Sequence, residues 1–197
     1  MMTALPAAQN PGTELPQRRS AISVHEVTAM RRAVFLLSLA LAGSQPLAAA
    51  AQEANFLRSL AGNWQGAGQV LMRIGSDPVN VRCSFATTAG LANFSMNGSC
   101  RGFVVVRRAV SANLRVSGGR YTGTYVGPMG LPSALSGSRR GNAINLSVRW
   151  ARPVNGDRNA TMTIEKVGAD GLRLRTVDRD HATGGSVVTS NIDLRRQ

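Results

Sequence analysis

Three residues near the C-terminus have the types and spacing for acid–base chemistry: Asp178, Asp180 and His181, in Asp178-Arg179-Asp180-His181-Ala182-Thr183-Gly184-Gly185. On a strand, positions i and i+2 share a face, so the two carboxylates could stand together as a glycosidase-like pair. Nucleophilic catalysis asks for more, namely a nucleophile, a base and a group that orients the base. His181 is the only histidine beyond His25. Nothing beside it completes such a set, and Arg179 offers both aspartates an ordinary ion pair. No catalytic residue is assigned, and the protein is expected not to be an enzyme. No Gly-rich loop leads from a strand into a helix, so no nucleotide or other cofactor is expected.

Cys83 and Cys100 are the only cysteines. Val79, Val81, Cys83 and Phe85 alternate with Asn80, Arg82, Ser84 and Ala86, and Phe94, Met96 and Cys100 alternate with Asn93, Ser95, Asn97 and Ser99. Both cysteines thus fall on apolar parities of neighbouring strand-like stretches, which predicts a disulfide between them if the protein is exported. A zinc site would need further ligands, and no metal site is expected.

Lys+Arg number 23 against 10 Asp+Glu, a formal charge of +13, and Lys166 is the only lysine. Arginine meets phosphate and carboxylate with a planar fork. Such a surface suits anionic envelope components, whether lipid headgroups, phosphorylated glycolipid or acidic polysaccharide; the alternative is that the charges only keep the protein soluble. Binding of nucleic acid wants cations interleaved with exposed aromatics. Most aromatics here fall on inward parities, so nucleic acid is not expected as a partner.

Met30-Arg31-Arg32, an apolar run from Ala33 to Ala42 and Ala48-Ala49-Ala50-Ala51 form the three regions of a secretory signal peptide. An apolar run of about ten residues is half of the roughly twenty that span a bilayer. The expected organisation is an N-terminal extension at 1–29, a signal peptide at 30–51 cleaved near Ala50–Gln52, and one domain at 52–197 located in the periplasm or secreted.

Within that domain, Gln52 to Ala61 is expected to form a helical turn or two, with Phe56, Leu57 and Leu60 on one face. Only short alternating runs follow. Trp64, Gly66, Gly68, Val70, Met72 and Ile74 share a parity, and so do Ile144, Leu146, Val148 and Trp150; Tyr121, Gly123 and Tyr125 share a face as well. Turns are marked at Gly75-Ser76-Asp77-Pro78, Ser117-Gly118-Gly119, Gly141-Asn142, Asn155-Gly156-Asp157 and Ala169-Asp170-Gly171, and Val188, Ile192 and Leu194 make a last row. Gly127-Pro128-Met129-Gly130-Leu131-Pro132 is the segment most suited to a functional loop. The pattern predicts an all-β, single antiparallel meander β-barrel of about 8–10 strands. Gly66 and Gly68 would permit tight coiling. Lipid-facing strands should be apolar outside, whereas here the outer parity carries Arg73, Arg82, Arg115, Arg149, Arg173 and Arg175, so an integral membrane barrel is not expected.

Gly62-Asn63-Trp64 entering the first strand after a short helix resembles the lipocalin and calycin group of barrels. The resemblance implies that Trp64 sits at a closed end, covered by an arginine from near the last strand, Arg195 or Arg196, with Arg195 taken as the structural partner. It also implies an interior that could hold a ligand. Met72, Phe85, Phe94, Tyr121, Tyr125 and Trp150 are then the candidate ligand-binding side chains, with Arg173 and Arg175 beside them. The chain also resembles small periplasmic inhibitors of secreted metalloproteases, in which the segment from Gln52 to Leu60 would be the blocking part. Two functions stay open: a binding protein for an amphipathic or anionic envelope molecule such as a lipid or glycolipid, or a protein-binding module whose barrel is filled.

Overall fold

A computed structural model describes residues 45–197 apart from Val104 and Val105. The expected extension and most of the expected signal peptide lie outside the described residues. The elements are α1 (Gln45–Leu60), β1 (Gly62–Leu71), β2 (Pro78–Ala89), β3 (Asn93–Gly102), β4 (Val106–Ser117), β5 (Arg120–Val126), β6 (Pro132–Arg140), β7 (Ala143–Val154), β8 (Asp157–Val167), β9 (Gly171–Arg179) and β10 (Ser186–Arg196). Each strand pairs antiparallel with its sequence neighbours, and β10 returns to β1 to close a ten-stranded barrel. The alternation predicts this outcome, because each strand presents one apolar face and closure leaves no edge.

Closure is made by glycine. In the β1–β10 pair, Gly66 stands opposite Leu194 and Gly68 opposite Ile192. A Cβ on Gly66 would lie 1.9 Å from the Asp193 carbonyl oxygen, and one on Gly68 would lie 2.0 Å from that of Asn191. The neighbouring backbone therefore occupies the place of a side chain, as it also does at Gly98, Gly123 and Gly137.

The meander sorts the connections into two ends. At one end lie the turns β2–β3, β4–β5, β6–β7 and β8–β9, and α1 covers it. The helix is longer than the turn or two expected from Gln52 to Ala61. Its buried face is Ala54, Leu57 and Leu60, with Phe56 half-buried beside them. Leu57 and Leu60 are 0 % exposed, and removing each from water contributes about 2 kcal/mol. Under the helix, Trp64 donates its indole N–H to Leu60 O and Thr87 Oγ1, both at 3.0 Å. The Arg196 guanidinium lies 4.3 Å from the Trp64 ring centroid. It donates to Ala61 O and, at 2.8 Å, to Ser59 O. Arg196, not Arg195, is thus the arginine over Trp64. Ile192 and Leu194 point inward, so position 196 shares their parity and Arg195 faces solvent.

The rest of this closed end is polar but paired. Glu53 of α1 accepts from the Tyr121 hydroxyl and from Arg139 Nε at 3.0 Å, and Arg139 lies over the Phe56 ring at 4.7 Å. Burial, reinforced by the Glu53 carboxylate, pushes the Tyr121 hydroxyl well above its ordinary pKa.

Other expectations shift where regular pairing stops. β1 ends at Leu71, so the inward row does not reach Met72, which is 70 % exposed in the β1–β2 connection. A bulge between Val188 and Ser190 inserts one residue into β10. It turns Val188 outward at 38 % exposure and aims Thr189 inward at 7 %.

Candidate functional site

The barrel interior is the first place to look for a ligand, and it is occupied by side chains. Phe85, Phe94, Leu146 and Ile164 are each at most 3 % exposed. They pack together with the other inward side chains as the buried core cluster of the barrel. Phe85 and Phe94 are therefore core residues. Tyr121 is buried against α1 and belongs to the closed end.

Toward the other, open end the inward residues loosen. Val70, Val79, Val110, Tyr125, Trp150 and Leu174 are half-buried. Here Trp150 and Tyr125 meet edge to face with centroids 6.0 Å apart. Trp150 donates its indole N–H to Asp178 at 3.2 Å, and Thr189, swung inward by the bulge, donates its hydroxyl to the other oxygen of Asp178. Asp178 is 4 % exposed and is satisfied by neutral donors, with no cation within 4 Å among the described residues. Burial pushes the Tyr125 hydroxyl up to about 12.

The three residues first considered for acid–base chemistry do not come together. Asp178 points into the barrel. Asp180 closes the β9–β10 turn, accepting from Thr183 Oγ1 at 2.7 Å and Ala182 N at 2.9 Å, which holds its carboxyl below the usual range. His181 Nε2 lies 3.0 Å from Asp157, whose pKa is lowered chiefly by the Asn159 N–H and then by His181. Each acid serves its own local structure.

The outer face of the barrel gives a different picture. Strand register lines up one lateral row: Glu165 opposite Arg173, Arg173 opposite Asp193, Asp193 opposite Ala67, Ala67 opposite Arg82, Arg82 opposite Arg101 and Arg101 opposite Arg107. The first part alternates in sign and is paired, with Arg173 2.7 Å from Asp193 and 3.9 Å from Glu165. Arg173 therefore has its charge answered, and its pKa is raised by the Asp193 hydrogen bond. Arg175 is exposed on the same outer face, and neither arginine lines the barrel interior.

Past Ala67 the pattern changes to three arginines in register. Among the described residues no carboxylate lies within 4 Å of Arg82, Arg101 or Arg107. Like charges directly opposite one another disfavour strand pairing, yet the disulfide sits at this point. Cys83 and Cys100 are bonded with Cα atoms 4.0 Å apart, one position along from the opposed Arg82 and Arg101. The cross-link holds together a register that the charges oppose. On this outer face β1 presents the small Ala67 between Gln65 and Gln69, so the surface dips there. An open depression of about 610 Å³ is lined by Ala67, Arg82, Ser99, Arg101 and Arg107 and, on its β10 side, by Arg195 and by Asp193, whose carboxylate is paired with Arg173. A second, of about 730 Å³, runs from Gln69 and Asn80 past Arg101 to Phe103.

Arg101 and Arg107 were not singled out from the sequence, although a signal existed. A disulfide between antiparallel strands at 83 and 100 places 82 opposite 101, and both are arginine. The expected functional loop proves to be a tight turn, with Gly130 N bonded to Gly127 O at 2.9 Å and Met129 exposed at its tip. No helix among the described residues is long and apolar enough to cross a membrane.

No protein-family model matches the sequence, and no curated protein matches it. Among solved structures, the chain is similar to the crystal structure of Rv2717c from M. tuberculosis, with a TM-score of 0.58 at 16 % identity, over 74 % of this chain and 97 % of that one. At that identity the likeness is one of fold alone; the closed ten-stranded antiparallel barrel of this chain is consistent with a small calycin-like barrel.

Proposed function

We propose that this protein is an exported binding module, not an enzyme, for an anionic molecule of the cell envelope, and that it grips its ligand on the outside of the barrel. The observation that carries this is the row Arg82, Arg101 and Arg107: three forked cations in register over a hollow, with no carboxylate within 4 Å among the described residues and with the acid at the hollow's far side, Asp193, already held by Arg173. Three such groups suit closely spaced phosphates, since each guanidinium can donate two parallel hydrogen bonds to one phosphate. Export is supported by the n-region, apolar run and small residues at 30–51, and by the disulfide, which persists in oxidising compartments.

Titration of the processed protein with tripolyphosphate, a soluble stand-in for clustered phosphates, tests this reading. Binding should weaken as ionic strength rises. The variant R82Q/R101Q/R107Q should bind at least tenfold more weakly, and absence of wild-type binding at low salt would sink the proposal.

The packed interior favours a second reading, a protein-binding module such as a protease inhibitor or envelope assembly factor. A stoichiometric protein partner captured equally by wild type and the triple arginine variant, with no tripolyphosphate affinity, would select it.

A further inference from the structure

The meander brings the connections β1–β2, β3–β4, β5–β6, β7–β8 and β9–β10 to the open end. Three consecutive ones carry an exposed large apolar side chain: Met72 at 70 %, Phe103 at 65 % and Met129 at 71 %. Val106 and Val188, at the strand starts of the same end, are 39 % and 38 % exposed, while Leu91 and Val167 lie at the opposite end. Folding accounts for none of the three loop residues, because none is buried. Phe103 is the sharpest case. Its φ is 47°, a left-handed conformation that a bulky residue adopts at a cost, and its ring faces solvent. A residue both strained and unburied points to a contact outside the chain.

Cations stand beside these side chains. Arg73 follows Met72, and Arg107 and Arg108 follow Val106; all are exposed, and among the described residues none has a carboxylate within 4 Å. Of the acids at this end, Asp157 and Asp180 are engaged in their own turns, and Asp77 stands exposed in the β1–β2 connection, where the three cations Arg73, Arg107 and Arg108 outnumber it. The apolar arc also adjoins the arginine row, since Phe103 lines the same hollow as Arg82 and Arg101.

We propose that the open end docks on an anionic lipid bilayer, with Met72, Phe103 and Met129 entering the boundary between headgroups and acyl chains and Arg73, Arg107 and Arg108 contacting headgroup phosphates. Apolar insertion combined with attraction to anionic lipid is how peripheral proteins hold a membrane, and charge complementarity decides for such a bilayer over an uncharged one. The inference rests on the proposed anionic partner and adds the surface that carries it.

Co-sedimentation of the processed protein with vesicles of phosphatidylglycerol and phosphatidylcholine, compared with phosphatidylcholine alone, tests it. The anionic vesicles should bind at least tenfold more protein, with a fraction retained at high salt. The variant M72S/M129S, altered only at exposed positions outside the arginine hollow, should lose at least tenfold in partitioning while its tripolyphosphate affinity is unchanged. Unchanged vesicle binding by that variant, or no binding by wild type, would overturn membrane docking, and retained tripolyphosphate binding would then leave the proposed function standing. Loss of both interactions in the wild type would end both. Wild-type self-association that the variant abolishes, without vesicle binding, would assign the rim to a second copy instead and overturn the proposal.

Discussion

The two ends of this barrel are built from similar residue types and use them in opposite ways. At the closed end, Arg196 and Arg139 each cover an aromatic ring and each meet acceptors: Ser59 O and Asp170 for the first, Glu53 for the second. At the open end, Arg73, Arg107 and Arg108 stand in solvent beside Met72 and Phe103, and Asp178, the one fully buried carboxylate among the described residues, is bonded to Trp150 and Thr189. Cations and apolar groups that find each other inside the molecule make a plug. The same groups left facing outward make a surface that gains free energy only when something else arrives.

Truncating the plug should have the largest effect on stability. Trp64→Ala removes a side chain that is 0 % exposed, together with its two hydrogen bonds and the stacked Arg196, and should cost about 3–5 kcal/mol in denaturant unfolding. Phe103→Ser and Met129→Ser at the open end should each stay within about 0.5 kcal/mol of wild type, as exposed substitutions do. Equal losses at both ends would erase the distinction. Reducing the Cys83–Cys100 disulfide comes next, at about 3 kcal/mol for a sequence separation of 17. In R82Q/R101Q the same reduction should cost less, because the register no longer opposes two charges; thermal melts of both proteins with and without reductant would show it.

How far these regions could be read from sequence follows from what sets each of them. The strands, their inward rows and the disulfide were legible because alternation has a fixed period of two residues, and Cys83 and Cys100 carried the apolar parity of their own stretches. Met72 and Val188 were misplaced for the complementary reason. Parity holds only while pairing holds, and neither the end of β1 at Leu71 nor the bulge beside Thr189 leaves a periodic trace. Arg196 rather than Arg195 follows from Ile192 and Leu194, whose inward parity extends to position 196. The arginine row was legible only in retrospect: Arg82 and Arg101 follow from the disulfide, but Arg107 needs the β3–β4 register, which depends on the length of the connection between them. That the barrel is packed was open, because a list of inward residues does not state the barrel's radius. The radius follows from the number and stagger of the strands, and Gly66, Gly68, Gly98, Gly123 and Gly137 let neighbouring backbones close in where a side chain would stand.

Asp178 sharpens the contrast between the ends on a finer scale. Asp178→Asn keeps a carbonyl oxygen for Trp150 and offers Thr189 an amide, so it should change stability by no more than about 1 kcal/mol, in either direction, because it also removes a buried charge. Asp178→Leu leaves the indole N–H and the hydroxyl unpaired and should cost about 1–3 kcal/mol for each. A large loss with Asn and little with Leu would contradict a purely structural carboxylate.

The smallest effect is spectroscopic, and it reads both ends at once because Tyr121 and Tyr125 are the only tyrosines. An exposed tyrosine ionises near pH 10. Burial raises Tyr125 to about 12, and burial with the Glu53 carboxylate raises Tyr121 further. Between pH 10 and 12 the unfolded chain therefore releases these protons while the folded protein keeps them. The unfolded state binds fewer protons, so stability falls as pH rises through that window, and what the raised values contribute is fully present below pH 10. Ultraviolet titration of the native protein should show no tyrosinate near pH 10, a first step near 12 from Tyr125, and the second only on unfolding. Tyr121→Phe should leave the first step in place. A step near 10 that disappears in Tyr125→Phe would mean the barrel is wetter at the open end than its packing implies, and would reopen the interior as a place for a ligand.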